Sequence, residues 1–132
     1  MSEIVLGSHA VFEDLNRRLA RLLVEVGANV QPGQVLGIGA EPAAAPLVHE
    51  LARAAYERGA LYVDVWYFDP ALKRIRLELA DEATLDYVPP WYAQRLLALG
   101  ELKAARIGLH PTVPPGTLDG IDPARAGKDV CM

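Results

Sequence analysis

Residues 35–68 read VLGIGAEPAAAPLVHELARAAYERGALYVDVWYF, and this stretch decides the fold. It begins with a short apolar run at 35–38, bounded by glycines, and ends with an apolar and aromatic run at 61–68. Both runs are typical of buried strands. The residues between them predict a helix that tolerates Pro46 in its first turn and ends at Gly59. Its apolar stripe consists of Leu47, Val48, Leu51, Ala52 and Ala55. A strand, a helix and a strand in so short a stretch predict two parallel strands joined by a right-handed crossover.

Upstream of this unit, an amphipathic helix is predicted from about Val11 to Val26. We expect Gly27 to end the helix in a left-handed conformation, which glycine adopts without strain. Residues 1–10 are predicted to be a flexible lead-in. The apolar stripe expected to be buried consists of Phe12, Leu15, Leu19, Leu22, Leu23 and Val26.

Downstream, the alternation of residues 74–79 would suit a strand, whereas Asp69-Pro70 is typical of a helix start. We favour a helix that breaks near Asp81 and resumes through Leu85. Another helix is predicted over 91–99, closed by Gly100, followed by a third strand around 104–109. Residues 111–116 form a proline-rich loop in this interpretation, and Asp122-Pro123 begins one more short helix.

The predicted fold class is α/β, with a small parallel, Rossmann-like sheet flanked by helices. Parallel sheets usually have both faces covered, and three strands leave two open edges. We therefore expect residues 11–132 to form a domain that is a portion of a larger protein, with either further sequence of the parent protein or another copy covering the open side.

Composition narrows the possible functions. The 132 residues are 52% hydrophobic and 23% charged, with a net charge of -4. These values argue against a disordered chain, a membrane span and a nucleic-acid-binding surface. The single cysteine, Cys131, excludes an intramolecular disulfide, which suits a reducing cytoplasm.

No metal or nucleotide site is predicted. The histidines are His9, His49 and His110, and His49-Glu50 lacks the second histidine that would complete a chelating helix face. Gly37 and Gly39 precede a helix, where a glycine-rich loop could cradle phosphate, but Glu41 and Pro42 follow them. The simpler interpretation is that these glycines allow a strand and a helix to pack closely.

Nucleophiles and acids form no catalytic constellation. Ser8 lies in the lead-in, Cys131 lies beside the last residue, and Asp81-Glu82 has the pattern of a helix cap. Asp64 either lines a site at the sheet or lies on an exposed face beside Tyr62 and Trp66. The aromatic residues Trp66, Tyr67, Phe68, Trp91 and Tyr92 are expected to be mostly core.

Several stretches together resemble a known family. They are NVQPGQ at 29–34, AAPLV at 44–48, AYERGA at 55–60, YFDP at 67–70, VPPW at 88–91 and DGIDP at 119–123. Their order and spacing resemble the N-terminal region of the thermophilic metallo-aminopeptidases, peptidase family M29, aminopeptidase T type.

The resemblance implies a two-domain, cytoplasmic, homodimeric exopeptidase that acts on peptides. Two divalent metals, zinc, cobalt or magnesium, would polarise the scissile carbonyl and activate water. In the family the metal ligands come from the C-terminal half, so no catalytic, cofactor-binding or metal residue is carried over to this chain. Its implied role is to form the wall of the substrate chamber and part of the dimer interface. The alternatives are a stand-alone module that binds a small ligand or a partner protein, and a nucleotide binder.

Overall fold

The structure is a computed structural model that describes residues 2–109 and 114–129, with side chains described from residue 7 onward. Helices and strands follow one another in the predicted order. The helices are α1 (Ser2–Leu22), α2 (Ala45–Glu57), α3 (Pro70–Leu79), α4 (Pro90–Glu101) and α5 (Pro123–Ala126), and the strands are β1 (Val35–Ala40), β2 (Tyr62–Tyr67) and β3 (Ala105–Gly108). Short turns of other helix types lie at Leu23–Gly27, Pro42–Ala44 and Glu82–Thr84.

The three strands form a parallel sheet in the order β2-β1-β3. The central strand aligns Leu36 with Val63 on one side and with Ala105 on the other. The α/β class and the small parallel sheet are therefore confirmed. The strand order adds that β2 and β3 are the two open edges among the described strands.

The core lies on one face of this sheet. Leu36, Ile38 and Ala40 point to that face from β1, because successive side chains of a strand alternate. These side chains pack against α1 and α2. The resulting hydrophobic core is composed almost entirely of small and branched aliphatic residues. Its buried members are Ala20, Val24, Val30, Leu36, Ile38, Ala40, Val48, Leu51, Ala54, Ala55, Ala60 and Ile107.

The local start and stop signals are confirmed in the middle of the chain. Gly59 follows α2 with a φ of 86°, and the Asp69 side chain accepts a hydrogen bond from the Ala71 amide at 2.9 Å to cap α3. Asp81 caps the turn at 82–84 in the same way. These signals act within a few residues, so they can be identified without knowledge of the tertiary fold.

Three helix ends differ from the prediction. The first helix begins at Ser2, so it runs through the stretch expected to be a flexible lead-in. It ends in a π turn, and Asn29 rather than Gly27 takes the left-handed conformation, with a φ of 46°. Helix α4 likewise continues through Gly100, and Lys103 has the positive φ, of 50°. Gly27 is the last residue of the first helical segment, α4 continues one residue past Gly100, and in both cases the left-handed residue follows two or three positions after the glycine.

The apolar stripe predicted for the first helix was expected to be buried, and the structure contradicts this expectation. Of its six residues only Leu23 packs against the core, and the other five are 43–71% exposed. The buried side of α1 is formed by the smaller residues Ala20 and Val24. The helix must lie close to α2 and the sheet, and small side chains permit that approach.

The aromatic residues are not core, contrary to expectation. The core cluster contains no tryptophan, tyrosine or phenylalanine among the described residues. Tyr67 and Trp91 are exposed, while Trp66, Phe68 and Tyr92 are half-buried. Trp66 and Tyr92 lie on the face of the sheet that α4 covers, whereas Tyr67 lies at the end of the edge strand β2 and aligns with Ala40.

Arginines attach the C-terminal segment 114–129 to α3. Arg74 donates to the carbonyls of Thr117 and Asp119 at 2.7 and 2.9 Å. Arg125 donates to the carbonyls of Leu77 and Ala80, at the end of α3. Since the last carbonyls of a helix have no partner within it, this guanidinium satisfies groups that would otherwise need water.

No helix among the described residues combines the length and the apolar character that a membrane crossing requires.

The contribution of Arg125 can be tested by Arg125→Met, which keeps most of the aliphatic stem and removes both hydrogen bonds. We expect the free energy of unfolding to fall by about 2 kcal/mol, because hydrogen bonds from a charged donor are lost. Urea denaturation measures the change. The control Arg53→Met removes an exposed ion pair of 3.6 Å and should cost about 0.5 kcal/mol or less. Equal losses in the two variants would contradict this account.

The C-terminal segment is also attached through an ion pair between Lys128 and Glu82, and a pH titration tests this contact. The Lys128 ammonium lowers the pKa of the Glu82 carboxyl, first through its hydrogen bond and then through its charge. A lowered carboxyl pKa stabilises the fold above the ordinary value of about 4.3, and this contribution is lost as the pH falls through the lowered pKa. Carboxyl-carbon NMR should show the pKa of Glu82 rising in Lys128→Ala and unchanged in the control Lys103→Gln.

Candidate functional site

The second face of the sheet carries polar and aromatic side chains. Alternation along the strands places Gly37, Asp64 and Arg106 in one row across the sheet, and Gly39 and Trp66 in the next. Helix α4 lies over this face. Gly37 explains why it can: a Cβ atom there would meet the Leu99 side chain of α4 at 3.6 Å.

Asp64 is held by an arginine from α4. Arg95 donates from Nε and Nη2 to the Oδ2 atom of Asp64, at 3.0 and 2.8 Å. The same guanidinium lies 5.3 Å from the centre of the Trp66 ring, which in turn meets Tyr92 edge-on at 4.9 Å. Asp64, Trp66, Tyr92 and Arg95 are called the Asp64 cluster below.

The Asp64 cluster joins α4 to the sheet. Both charged side chains are about one third exposed, 29% for Asp64 and 33% for Arg95, so water screens their attraction. The cavity beside them measures about 30 Å³, which is roughly the volume of one water molecule. Asp64 thus lies on the same face as Tyr62 and Trp66, but this face is partly covered by α4 rather than exposed, and the space beside Asp64 is too small for a peptide or a nucleotide.

A larger, charged groove lies between α1 and α2. It measures about 330 Å³ and is lined by Arg17, Arg21, Glu50, Arg53 and Glu57. Glu50 is the shared partner, with its Oε2 atom 3.9 Å from Arg17 Nε and 3.6 Å from Arg53 Nε. Three guanidinium groups face two carboxylates, so the groove has a net positive charge that suits a small anion.

Sequence reasoning missed this groove, although part of its signal was present. Arg17 and Arg21 are four residues apart, and Glu50, Arg53 and Glu57 follow at spacings of three and four, so each set shares one helix face. The pattern predicts two charged faces. It does not say that the two faces meet, which depends on how α1 packs against α2.

The structure places the histidines apart. His9 lies on α1 with Nδ1 3.2 Å from Glu13 Oε1, and His49 lies on the exposed side of α2. His110 and Cys131 are outside the described residues. In residues 2–109 and 114–129 no three side chains of His, Cys, Asp or Glu come together as a metal site would require. The residues described here therefore do not fit a metal centre.

The glycine-rich stretch is a strand rather than a phosphate-binding loop. Gly37 and Gly39 both lie within β1, and the loop that follows consists of Glu41 and the turn at 42–44. Pro42 has no N–H to donate, and Glu41 would repel a phosphate. The interpretation that a glycine allows close packing of a strand and a helix holds for Gly37, which lies against α4. It does not hold for Gly39, where a Cβ atom would meet nothing within 4 Å.

A double-mutant cycle tests the structural role of the Asp64 cluster. Asp64→Asn and Arg95→Gln, alone and together, should give a coupling free energy of about 0.5–1 kcal/mol by urea denaturation, because the pair is partly exposed. The matched control is the pair Asp14 and Arg18 on α1, 2.9 Å apart and more exposed, which should couple less strongly. A larger coupling in the α1 pair would contradict the role given to the cluster.

Comparison with known proteins adds the family. The family model for the thermophilic metalloproteases, M29, matches residues 12–130. Aminopeptidase 2 of Geobacillus stearothermophilus is 39% identical over 108 residues, which is 82% of this chain and 26% of that protein. Aminopeptidase T of Thermus aquaticus is 37% identical over 119 residues, which is 90% of this chain and 29% of that protein.

The fold agrees with a solved member. The structure of wild-type AmpT from Thermus thermophilus superposes with a TM-score of 0.82 at 34% identity, over 89% of this chain and 30% of that one. The chain thus spans between a quarter and a third of the length of the relatives it matches. On this evidence the chain belongs to the M29 family of thermophilic metalloproteases.

Proposed function

We propose that this chain is the non-catalytic N-terminal domain of a metal-dependent aminopeptidase that releases N-terminal amino acids from peptides in the cytoplasm. The metals, zinc, cobalt or magnesium, would be held by residues outside this chain. The domain would form part of the substrate chamber and contribute to a homodimer. Membership of a metalloprotease family supports the activity, and the share of each relative that the chain spans supports the division between domains.

One observation carries the non-catalytic role: many carboxylates of the described residues already serve the fold. Asp69, Asp81 and Asp122 each accept a backbone hydrogen bond at the start of a helix or turn. Others form ion pairs with arginine or lysine, namely Glu50, Asp64, Glu78, Glu82 and Asp129. A carboxylate used as a cap or an ion-pair partner is not positioned to ligate a metal or to activate water.

The groove between α1 and α2 favours one alternative, a stand-alone module that binds a small ligand. A groove of about 330 Å³ with excess guanidinium charge suits a compact anion such as a phosphate or a dicarboxylate. Two of its three arginines, Arg17 and Arg53, already pair with Glu50, which weakens this candidate. Addition of inorganic phosphate tests whether the groove binds an anion, because binding to the folded chain would raise the melting temperature.

The proposal predicts that the chain alone does not hydrolyse a leucyl anilide with added zinc, cobalt or magnesium. We also expect a chelator to leave the melting temperature unchanged, because the described residues bring no three candidate metal ligands together. Release of the anilide chromophore and differential scanning calorimetry are the measurements. Full-length aminopeptidase T of Thermus aquaticus, assayed in parallel, is the positive control for substrate and metals.

Turnover that copurifies with the chain and disappears on chelation would contradict the non-catalytic role. A fall in the melting temperature on chelation would contradict it as well, since it would show a metal held by this chain.

A further inference from the structure

Helix α3 has a small buried centre that lies apart from the core of the sheet. Leu77 on α3 is 1% exposed, and Leu85, which follows the turn at 82–84, is fully buried. Neither residue belongs to the hydrophobic core that the sheet forms with α1 and α2. Leu77 is also the one residue of α3 that is buried, so little apolar packing holds this helix in place.

The outer side of α3 is open to solvent. Three of its apolar side chains are 50–80% exposed, namely Leu72, Ile75 and Leu79. A helix with a single buried side chain is at the less stable end of a folded structure, where local opening occurs. The position of α3 therefore depends on the polar contacts made by its inner side.

These polar contacts join α3 to the C-terminal segment 114–129. Arg74 donates from α3 to carbonyls of that segment, and Arg125 donates from the segment to carbonyls at the end of α3. The two arginines therefore connect the same two elements in opposite directions. Since the acceptors are backbone carbonyls, the contacts fix the course of the chain as well as its side chains.

Arg76 connects a third element, the residues that follow α3. Its Nη2 atom donates to the carbonyls of Thr84 and Leu85 at 3.0 and 3.2 Å, and its Nε atom lies 3.5 Å from Oδ1 of Asp129. The Asp129 side chain is 0% exposed. Removing a carboxylate from water is costly unless a cation stays beside it, so the position of Asp129 depends on Arg76.

We propose that α3, residues 81–87 and the segment 114–129 form one conformational unit, called the latched unit below. The unit opens and closes as a whole while the sheet, α1 and α2 stay folded. The contact between Arg76 and Asp129 is its latch, because it joins α3 to both of the other elements. The inference goes beyond the proposed function and does not depend on it.

Short connections join the latched unit to the sheet and to α4. Residues 68–69 lie between β2 and α3, and residues 88–89 lie between the unit and α4. The unit has its own buried centre and its own hydrogen bonds, so it can open without exposing Leu36 or Ile38 of the core. Separate burial and short connections are the properties of a segment that moves as one body.

The first experiment is native-state hydrogen exchange, measured by NMR on the 132-residue chain at urea concentrations below the unfolding transition. We expect the amides of α3 to open with the same free energy and the same urea dependence as the hydrogen-bonded amides of Ala126 and Gly127. The amides of β1 should exchange at least about tenfold more slowly, because they open only when the core opens.

The second experiment weakens the latch with Asp129→Asn, which keeps the size of the side chain and removes its charge. The amides of α3 should exchange at least about tenfold faster, and by the same factor as those of Ala126 and Gly127, because Arg76 loses its counterion. The amides of β1 and α2 should keep their wild-type rates. Asp86→Asn, at an exposed aspartate of the latched unit, is the matched control and should change none of these rates.

Arg76→Met removes the other half of the latch and should accelerate the same amides. Faster exchange confined to residues 114–129 in either variant would overturn the inference, since that segment would then fray by itself. Equal acceleration in β1, or loss of the whole fold by circular dichroism, would also overturn it, because the unit would then belong to a single cooperative structure. No peptidase measurement enters these results, so a failure of the inference is distinguishable from a failure of the proposed function.

Discussion

The alternation of side chains along β1 determines how the rest of the molecule is arranged. Because β1 is the central strand, both of its faces must be covered and both of its edges are paired. Leu36 and Ile38 on one face hold α1 and α2, and Gly37 on the other lets Leu99 of α4 approach the backbone. This one strand therefore has an apolar core on one face and a thin, polar layer on the other. The second layer is thin because glycines take the place of the larger side chains that are usual in a buried strand.

Much of the fold could be predicted from the sequence because its signals are local. Asp69-Pro70 and Gly59 define helix boundaries within a few residues, and the βαβ unit follows from strand and helix patterns. The buried side of α1 could not be predicted, because size and periodicity favour Phe12 and Leu19 over Ala20. Which face is buried depends on how closely α1 approaches α2, and that distance is a property of the tertiary fold.

The candidate sites were less accessible to prediction for a related reason. Asp64 and Arg95 are 31 residues apart in the sequence, and Arg125 and Leu77 are 48 residues apart. Contacts over such distances produce no spacing pattern in the sequence from which they could be predicted. Asp81 and Glu82 illustrate the difference. Asp81 caps a turn two residues away, as its position predicts, whereas Glu82 pairs with Lys128, which only the folded chain brings near.

The distribution of large side chains shows how this chain depends on its surroundings. Its core consists of alanine, valine, leucine and isoleucine, while Phe12, Trp91 and several leucines remain exposed. Each large apolar side chain that leaves water contributes about 1.5–3 kcal/mol, so the exposed set represents a stabilisation comparable to the whole stability of a small domain. Burial of these side chains against another surface would therefore add substantially to the stability that the core alone provides.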